Sequence, residues 1–242
     1  MPPESFYAAD ETRAQRVNDL FAKIAPRYDL INDLQSFGLH RSWKRRLIQL
    51  AAVKRGAEAL DVCCGTGDVA FSLADAGAKV IGADFSEPML QVARKRSASR
   101  RNQTNESPNF IQADALHLPL PSSAFDIVTI AYGLRNLADF RGGLVEMLRV
   151  LKSGGKLLIL DFGKPDFAPW RAAYFAYLKL FVPVFGKIFC GNSATHAYIL
   201  ESLKKYPAQK GVAAMLSELG CREVRVENLL GGVMSINTAV KS

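Results

Sequence analysis

Apolar positions recur along this chain with two different periods. Between residues 56 and 162, short apolar runs alternate with amphipathic helical patterns. The runs predict strands near 58–63, 78–84, 109–112, 126–131 and 156–162. Helices fall between them, near 68–76, 87–99 and 139–151, and Lys152-Ser153-Gly154-Gly155 should stop the last of these before the fifth strand. Such alternation implies a parallel sheet with helices on both faces. Upstream, residues 10–55 read as helical, with Val17, Leu20, Phe21 and Ile24 at helical spacing. Ala25-Pro26-Arg27-Tyr28 breaks that helix, and a second covers about 41–54. Downstream, 163–205 interrupts the alternation. Its stretch Trp170 to Phe189 is rich in aromatics, but Arg171, Lys179, Lys187 and Pro183 argue against a membrane span. It reads as a helical insert covering an apolar ligand site. A helix near 208–219 and two runs, 221–228 and 232–240, close the chain as an antiparallel edge.

This divides one α/β domain, 1–242, into a helical cap (1–55), a core (56–162), an insert (163–205) and a closing unit (206–242). The length of 242 residues and an apolar content of 49% suit a single domain of that kind. A net charge of +8 attracts anionic surfaces, either nucleic acid or lipid. The basic stretch Ser97 to Pro108 has no interleaved aromatics to stack bases, so it reads as a surface loop and nucleic acid is not expected as a partner. Met1 to Asp19 is polar, without a signal-peptide pattern, so a cytoplasmic location is expected. The four cysteines, Cys63, Cys64, Cys190 and Cys221, form no C-x-x-C pair or His/Cys cluster, which fits a reducing compartment and no metal.

The chemistry concentrates at strand ends. Ala59-Leu60-Asp61-Val62-Cys63-Cys64-Gly65-Thr66-Gly67-Asp68 runs from an apolar strand through a glycine turn into a helix. Glycines there let a ligand approach backbone that a Cβ would block. Asp84 ends the next run about 20 residues beyond Gly65, the distance expected of a ribose-binding carboxylate. Gly65, Gly67 and Ala70 also satisfy the G-x-G-x-x-G/A dinucleotide pattern, so spacing alone leaves a nicotinamide enzyme open. Three features favour S-adenosylmethionine. Asp61 can meet a charged amino-acid moiety, Asp114 and Ala115 can offer an acid and a backbone amide to an adenine edge, and Phe125-Asp126 opens a fourth strand. The order of these motifs resembles the class I methyltransferases.

Further segments narrow the resemblance. Tyr28-Asp29-Leu30-Ile31-Asn32-Asp33 through His40-Arg41-Ser42-Trp43, Tyr132-Gly133-Leu134-Arg135-Asn136, and Arg149 to Gly155 leading to Leu160-Asp161-Phe162 are similar to signatures of the UbiE/MenG family of quinone-biosynthesis C-methyltransferases. The resemblance continues through Glu201-Ser202-Leu203 and Asn228 to Gly232. Ile31, Gln35, Ser153, Asp161, Gly163 and His196 depart from the family's usual residues without removing a cofactor position.

The resemblance implies the class I fold, a doubly wound and mostly parallel seven-stranded sheet with an antiparallel edge. It implies methyl transfer from S-adenosylmethionine to a ring carbon of a polyprenylated quinol. Cys63-Cys64-Gly65 leans toward demethylmenaquinol, with a benzoquinol, dual-specificity or phylloquinone-type enzyme as alternatives and a non-catalytic scaffold as a further one. By resemblance Thr66 and the Gly65/Gly67 backbone border the methionine moiety, Asp84 the ribose, Asp114 and Ala115 adenine, and Ala131 the cofactor through its backbone. Arg135 and Asn136, at a strand's carboxyl end, are expected to stabilise the quinolate and fix a ring oxygen. Tyr28, His40, Tyr132, His196 and Tyr198 are candidate substrate contacts, while His117 reads as a surface residue. A prenylated substrate implies transient membrane contact at the inner face, with Arg41, Lys44, Arg45 and Arg46 as lipid-facing charges. A homodimer is compatible with this reading.

Overall fold

The computed structural model describes residues 25, 28–100, 107–180, 202–203 and 205–242. Among the described residues the first helices are α1 (Tyr28–Ser36) and α2 (Leu39–Ala51). Then follow β1 (Glu58–Val62), α3 (Asp68–Asp75), β2 (Lys79–Asp84), α4 (Glu87–Arg100), β3 (Asn109–Gln112) and β4 (Phe125–Ala131). The remainder is α5 (Phe140–Val150), β5 (Leu151–Phe162), α6 (Ala168–Leu180), α7 (Ala208–Glu218), β6 (Arg222–Leu229) and β7 (Met234–Val240). Tyr28 therefore begins a helix, where the sequence suggested the end of a break.

All seven strands form one sheet in the order β3-β2-β1-β4-β5-β7-β6. The pairs from β3 to β5 are parallel, and β7 runs antiparallel to both β5 and β6. Parallel neighbours need crossovers, and α3, α4 and α5 supply them. Leu60, Val128, Ile130, Leu158 and Leu160 are fully buried in the sheet, as expected of strands covered on both faces.

The boundary between α5 and β5 differs from the expectation. The helix ends at Val150, and Leu151 already pairs with Phe125. The register then jumps, Ile127 facing Lys156, so Lys152 to Gly155 form a bulge within β5, out of register with β4. The Gly154 N–H donates to the Lys241 carbonyl at 2.9 Å, and Lys241 N–H to the Gly155 carbonyl at 3.0 Å. A glycine-rich stretch that looks like a helix stop is held in the sheet by residues far along the chain.

The N-terminal helices pack on the sheet, α2 ending near the first residues of β1 and Lys156 of β5. On α2, His40, Leu47 and Ala51 are buried at i, i+7 and i+11, one helical stripe. Lys156 Nζ reaches the Leu50 and Ala51 carbonyls at 3.5 and 3.3 Å, placing a cation at the negative end of that helix. Arg46 pairs with Glu227 of β6 through two hydrogen bonds at 2.8 and 2.9 Å. On α6, Tyr174 and Leu178 are buried, and the Tyr177 hydroxyl donates to the Gln35 carbonyl of α1 at 3.2 Å. No described helix is long and apolar enough to cross a membrane.

Candidate active site

A cleft of about 980 Å³, open to solvent, lies at the carboxyl ends of the strands. It straddles β1 and β4, where the strand order reverses direction, the usual ligand crevice of an open parallel sheet. On β1, Asp61 is 1% exposed and stands beside Thr129 of β4 in register. The Thr129 hydroxyl donates to Asp61 Oδ1 at 2.8 Å, while Oδ2 is buried with no hydrogen-bond partner. Burial pushes the Asp61 pKa up to about 7, against the opposing pull of Thr129 and of the Lys44 charge.

The turn after β1 is tight. Cys63, Gly65 and Gly67 all have positive φ, at 54°, 55° and 89°. A Cβ on Gly67 would sit 2.9 Å from both Phe110 and Phe71, so space as well as conformation demands glycine there. Gly65 lines the cleft; Gly67 does not, and its N–H closes the turn onto the Cys64 carbonyl at 2.9 Å.

At the end of β2, Asp84 Oδ2 accepts the Gly65 N–H at 2.7 Å and Oδ1 accepts the Ser86 N–H at 2.8 Å. Burial raises its pKa, and these backbone donors oppose the rise. A carboxylate has about four acceptor positions, so both oxygens retain capacity for ligand hydroxyls. After β3, Asp114 and Ala115 join the wall, and Asp114 Oδ1 accepts the Leu116 N–H at 2.9 Å. Phe85, Met89, Leu116 and Leu118 make that wall apolar. Ala131 lies at the end of β4.

Tyr28, Tyr132, Gly133 and Asn136 also wall the cleft. The Tyr132 hydroxyl is buried and unpartnered, as is that of Tyr174 on α6. Asn136 Nδ2 donates to the Tyr132 carbonyl at 3.1 Å. Gly133 permits a close crossing, since a Cβ there would lie 2.5 Å from Cys63 Cβ.

Arg135 does not line the cleft. Its guanidinium turns into the core, 3.1 Å from Asp161 Oδ1 and 2.7 Å from the Tyr132 carbonyl, with its carbon 4.5 Å from the Phe162 ring centre. The Asp161 carboxylate also accepts the Arg135 and Phe162 N–H groups at 3.1 and 2.8 Å. Burial raises the Asp161 pKa, with the Arg135 charge opposing. Burial likewise raises Tyr28, Tyr132 and Tyr174, and the Arg135 charge opposes the rise in each. At Tyr132 the Asp161 charge, which raises the pKa, outweighs that of Arg135, so the pair's net effect differs between the two wall tyrosines.

The other candidates separate. His40 is buried outside the cleft, its Nδ1 2.9 Å from Ser36 Oγ and 3.7 Å from Asp33. His117 is at the surface, 3.7 Å from Asp114. His196 and Tyr198 lie outside the described residues.

Beside Gly65 the cleft adjoins a smaller cavity of about 320 Å³, which Asp61, Thr66 and Lys44 line together. The expectation that Lys44 faces lipid fails. Its side chain is 12% exposed and its Nζ lies 2.8 Å from Asp68 Oδ2. Lys44 falls on the buried stripe of α2, four residues after His40 and three before Leu47, and that spacing was the available signal. Asp68 is also held by Arg96 at 2.6 Å, and Arg96 reaches Asp29 and the Thr66 carbonyl at 3.2 and 2.9 Å. Thr66 Oγ1 donates to Asp29 Oδ1 at 2.9 Å. Burial of Asp68 acts to raise its pKa, but Lys44 and Arg96 outweigh it and leave the group at about 2. Of the remaining α2 charges, Arg41 pairs with Asp33, Arg46 pairs with Glu227, and Arg45 is exposed.

Comparison with known proteins agrees with this geometry. Residues 9–241 match the model of the ubiE/COQ5 methyltransferase family. A demethylmenaquinone methyltransferase from Thermus thermophilus is 42% identical over 90% of this chain and 98% of its own. One from Bacillus licheniformis is 37% identical over 96% of this chain and 99% of its own. A ubiquinone/menaquinone biosynthesis C-methyltransferase from Erwinia tasmaniensis is 39% identical over 96% of this chain and 93% of its own. Among solved structures, a SAM-dependent methyltransferase from Thermotoga maritima superposes with a TM-score of 0.63 at 18% identity, covering 93% of this chain and 99% of that one. The sheet is therefore that of the class I S-adenosylmethionine-dependent methyltransferases. The site fits that cofactor: an orphaned buried carboxylate oxygen suits an ammonium, Asp84 suits vicinal hydroxyls, and the wall near Phe85 and Met89 suits an apolar ring.

Proposed function

Because the chain belongs to the ubiE/COQ5 methyltransferase family, we propose that it methylates a ring carbon of a polyprenylated quinol, demethylmenaquinol in the first place, using S-adenosylmethionine. One observation carries the reading beyond the family: a single cleft is lined by Asp84 and Asp114 together with Tyr28, Tyr132 and Asn136. A planar phenol between the tyrosines shares that cleft with whatever the acids hold. A benzoquinol or dual-specificity enzyme is the second reading, favoured by relatives near 39% identity whose names give both quinones.

Bound there, the cofactor supplies an electrophilic methyl group. Asp84 accepts its ribose hydroxyls, Asp61 its ammonium, and Asp114 and Ala115 meet its adenine. Gly65, Thr66 and Ala131 border the methionine chain, and Gly67 holds the turn. The acceptor carbon reacts only beside a phenolate, and a phenol with a pKa near ~10 is mostly neutral at pH 7. Arg135, fixed by Asp161 behind the wall, bears the positive charge that would favour the anionic oxygen, partly offset by its paired carboxylate; it acts through space and not as a base. Asn136 offers its amide to the ring oxygen. His40 has a structural role on α2.

α6, the described part of the insert, packs Tyr174 and Leu178 inward and ties to α1 through Tyr177. Exposed Leu30 on α1, Phe37 just after it, Phe167 before α6 and Leu180 at its end suit transient contact with the inner face of the membrane by a cytoplasmic protein. Arg135→Ala should lower the methyl-transfer rate while leaving S-adenosylhomocysteine affinity within about threefold. Unchanged turnover in a folded Arg135→Ala variant would exclude the role.

A further inference from the structure

Asp61 accounts for only half of an amino acid. In the small cavity its orphaned Oδ2 suits an ammonium, but the cofactor's amino-acid end also carries a carboxylate on the same carbon. That carboxylate must lie within the same cavity or at its mouth. Among the described lining residues, Asp61 and Asp68 are acidic and Lys44 is the one base. A carboxylate placed there without a cation would face two like charges in a mostly buried space, an arrangement of high energy.

We infer that Lys44 is the cofactor's carboxylate-binding residue, reaching from α2 across the glycine turn to close the amino-acid cavity. This inference rests on the cofactor assignment and adds a residue that neither the motifs nor the family resemblance indicated.

The geometry leaves Lys44 able to do this. An ammonium has three donors, and the Asp68 hydrogen bond at 2.8 Å occupies one. Asp68 is held independently by Arg96 at 2.6 Å, so sharing Lys44 with a ligand does not strip Asp68 of its partners. The Lys44 charge already reaches into the cavity, acting on both Asp61 and Tyr28. Its stem is fixed by the buried stripe of α2, so little side-chain freedom remains to be lost on binding. The inference also gives the helical cap a function. Residues before β1 would complete the cofactor site, and ligand binding would fasten α2 to the glycine turn.

The test is a ligand truncation series measured by calorimetry on the full chain. The probes are S-adenosylhomocysteine, its decarboxylated analogue, and methylthioadenosine, which lacks the whole amino-acid end. Wild type should prefer S-adenosylhomocysteine over the decarboxylated analogue by about 10- to 100-fold, the range of a charge-assisted hydrogen bond. Lys44→Met should bind those two within about threefold of each other and bind methylthioadenosine as wild type does. Lys44→Gln, which keeps a donor for Asp68 but no charge, should behave alike and serves if the methionine variant does not fold. Retention of the full preference in either folded variant overturns the inference. So does an equal loss for all three ligands, which would mean that Lys44 merely docks α2. Failure of wild type to bind S-adenosylhomocysteine at all would overturn the cofactor assignment itself, and is distinguishable because it appears before any substitution.

Discussion

If Asp61 holds the cofactor's ammonium as proposed, cofactor binding should be a proton-linked event. In the ligand-free chain burial pushes the Asp61 pKa up to about 7. An ammonium needs the carboxylate ionised. At pH 6 roughly nine-tenths of the sites are protonated, so binding must release about 0.9 of a proton. Affinity should then fall about tenfold for each pH unit below 7. At more alkaline pH it should fall again as the ligand's own amine loses its charge. The same acid affects folding. The unfolded carboxyl loses its proton at 3.8 and the folded one near 7, so between those values the native state binds more protons and stability declines as pH rises. A difference of about three in pKa, at about 1.4 kcal/mol each, makes the cost to the ligand-free fold about 4 kcal/mol above pH 7. Asp61→Asn should abolish the acid limb of the binding profile, weaken S-adenosylhomocysteine by about 10- to 100-fold at pH 8, and flatten the pH dependence of stability above pH 4. Calorimetry in two buffers of different ionisation enthalpy reads the proton release directly. Release near zero at pH 6, or an acid limb that persists in Asp61→Asn, would refute the reasoning.

Other substitutions probe the frame around the site. Asp161→Ala leaves the Arg135 guanidinium, 6% exposed, without its carboxylate and should cost roughly 3–5 kcal/mol in urea denaturation; a loss below about 1 kcal/mol would show that the pair is dispensable. Gly133→Ala forces a methyl to 2.5 Å from Cys63 Cβ, so it should destabilise by about 1–3 kcal/mol and weaken cofactor binding through the displaced turn; unaltered binding and melting would contradict the packing. Asp68 has a lowered pKa of about 2, so its contribution of roughly 2 kcal/mol is present above pH 4 and is lost as pH falls from 3.8 toward 2. Acid titrations of wild type and Asp68→Asn should differ in that window, and superimposable curves would deny the role of Lys44 and Arg96. Asp84→Ala should weaken S-adenosylhomocysteine by about 10- to 100-fold, and unchanged affinity would refute its assignment to the ribose.

Much of this architecture was legible because it is local. The core strands and helices follow from apolar runs broken by glycine turns, and the described elements from β1 to β4 begin and end within a residue or two of the expected limits. What escaped depends on distant partners. Lys152 to Gly155 has the composition of a helix stop, and only pairing with Lys241 keeps it in β5. Arg135 follows a strand's carboxyl end, where a ligand contact is expected. Asp161, 26 residues later, turns it into the core instead. Lys44 sits in a run of basic residues that resembles a charged surface, yet helical periodicity aligns it with His40, Leu47 and Ala51. There the pattern was readable, and the charge run obscured it.

The central claim is methyl transfer to a quinol carbon within the cleft shared by Asp84 and Tyr132. The most direct measurement is transfer from methyl-labelled S-adenosylmethionine to reduced demethylmenaquinol and to a demethylated benzoquinol, side by side without oxygen. The account predicts a ring-methylated naphthoquinol. Product from both quinols would assign the chain to the dual-specificity reading. Tight cofactor binding with no methylated product from either would contradict the account.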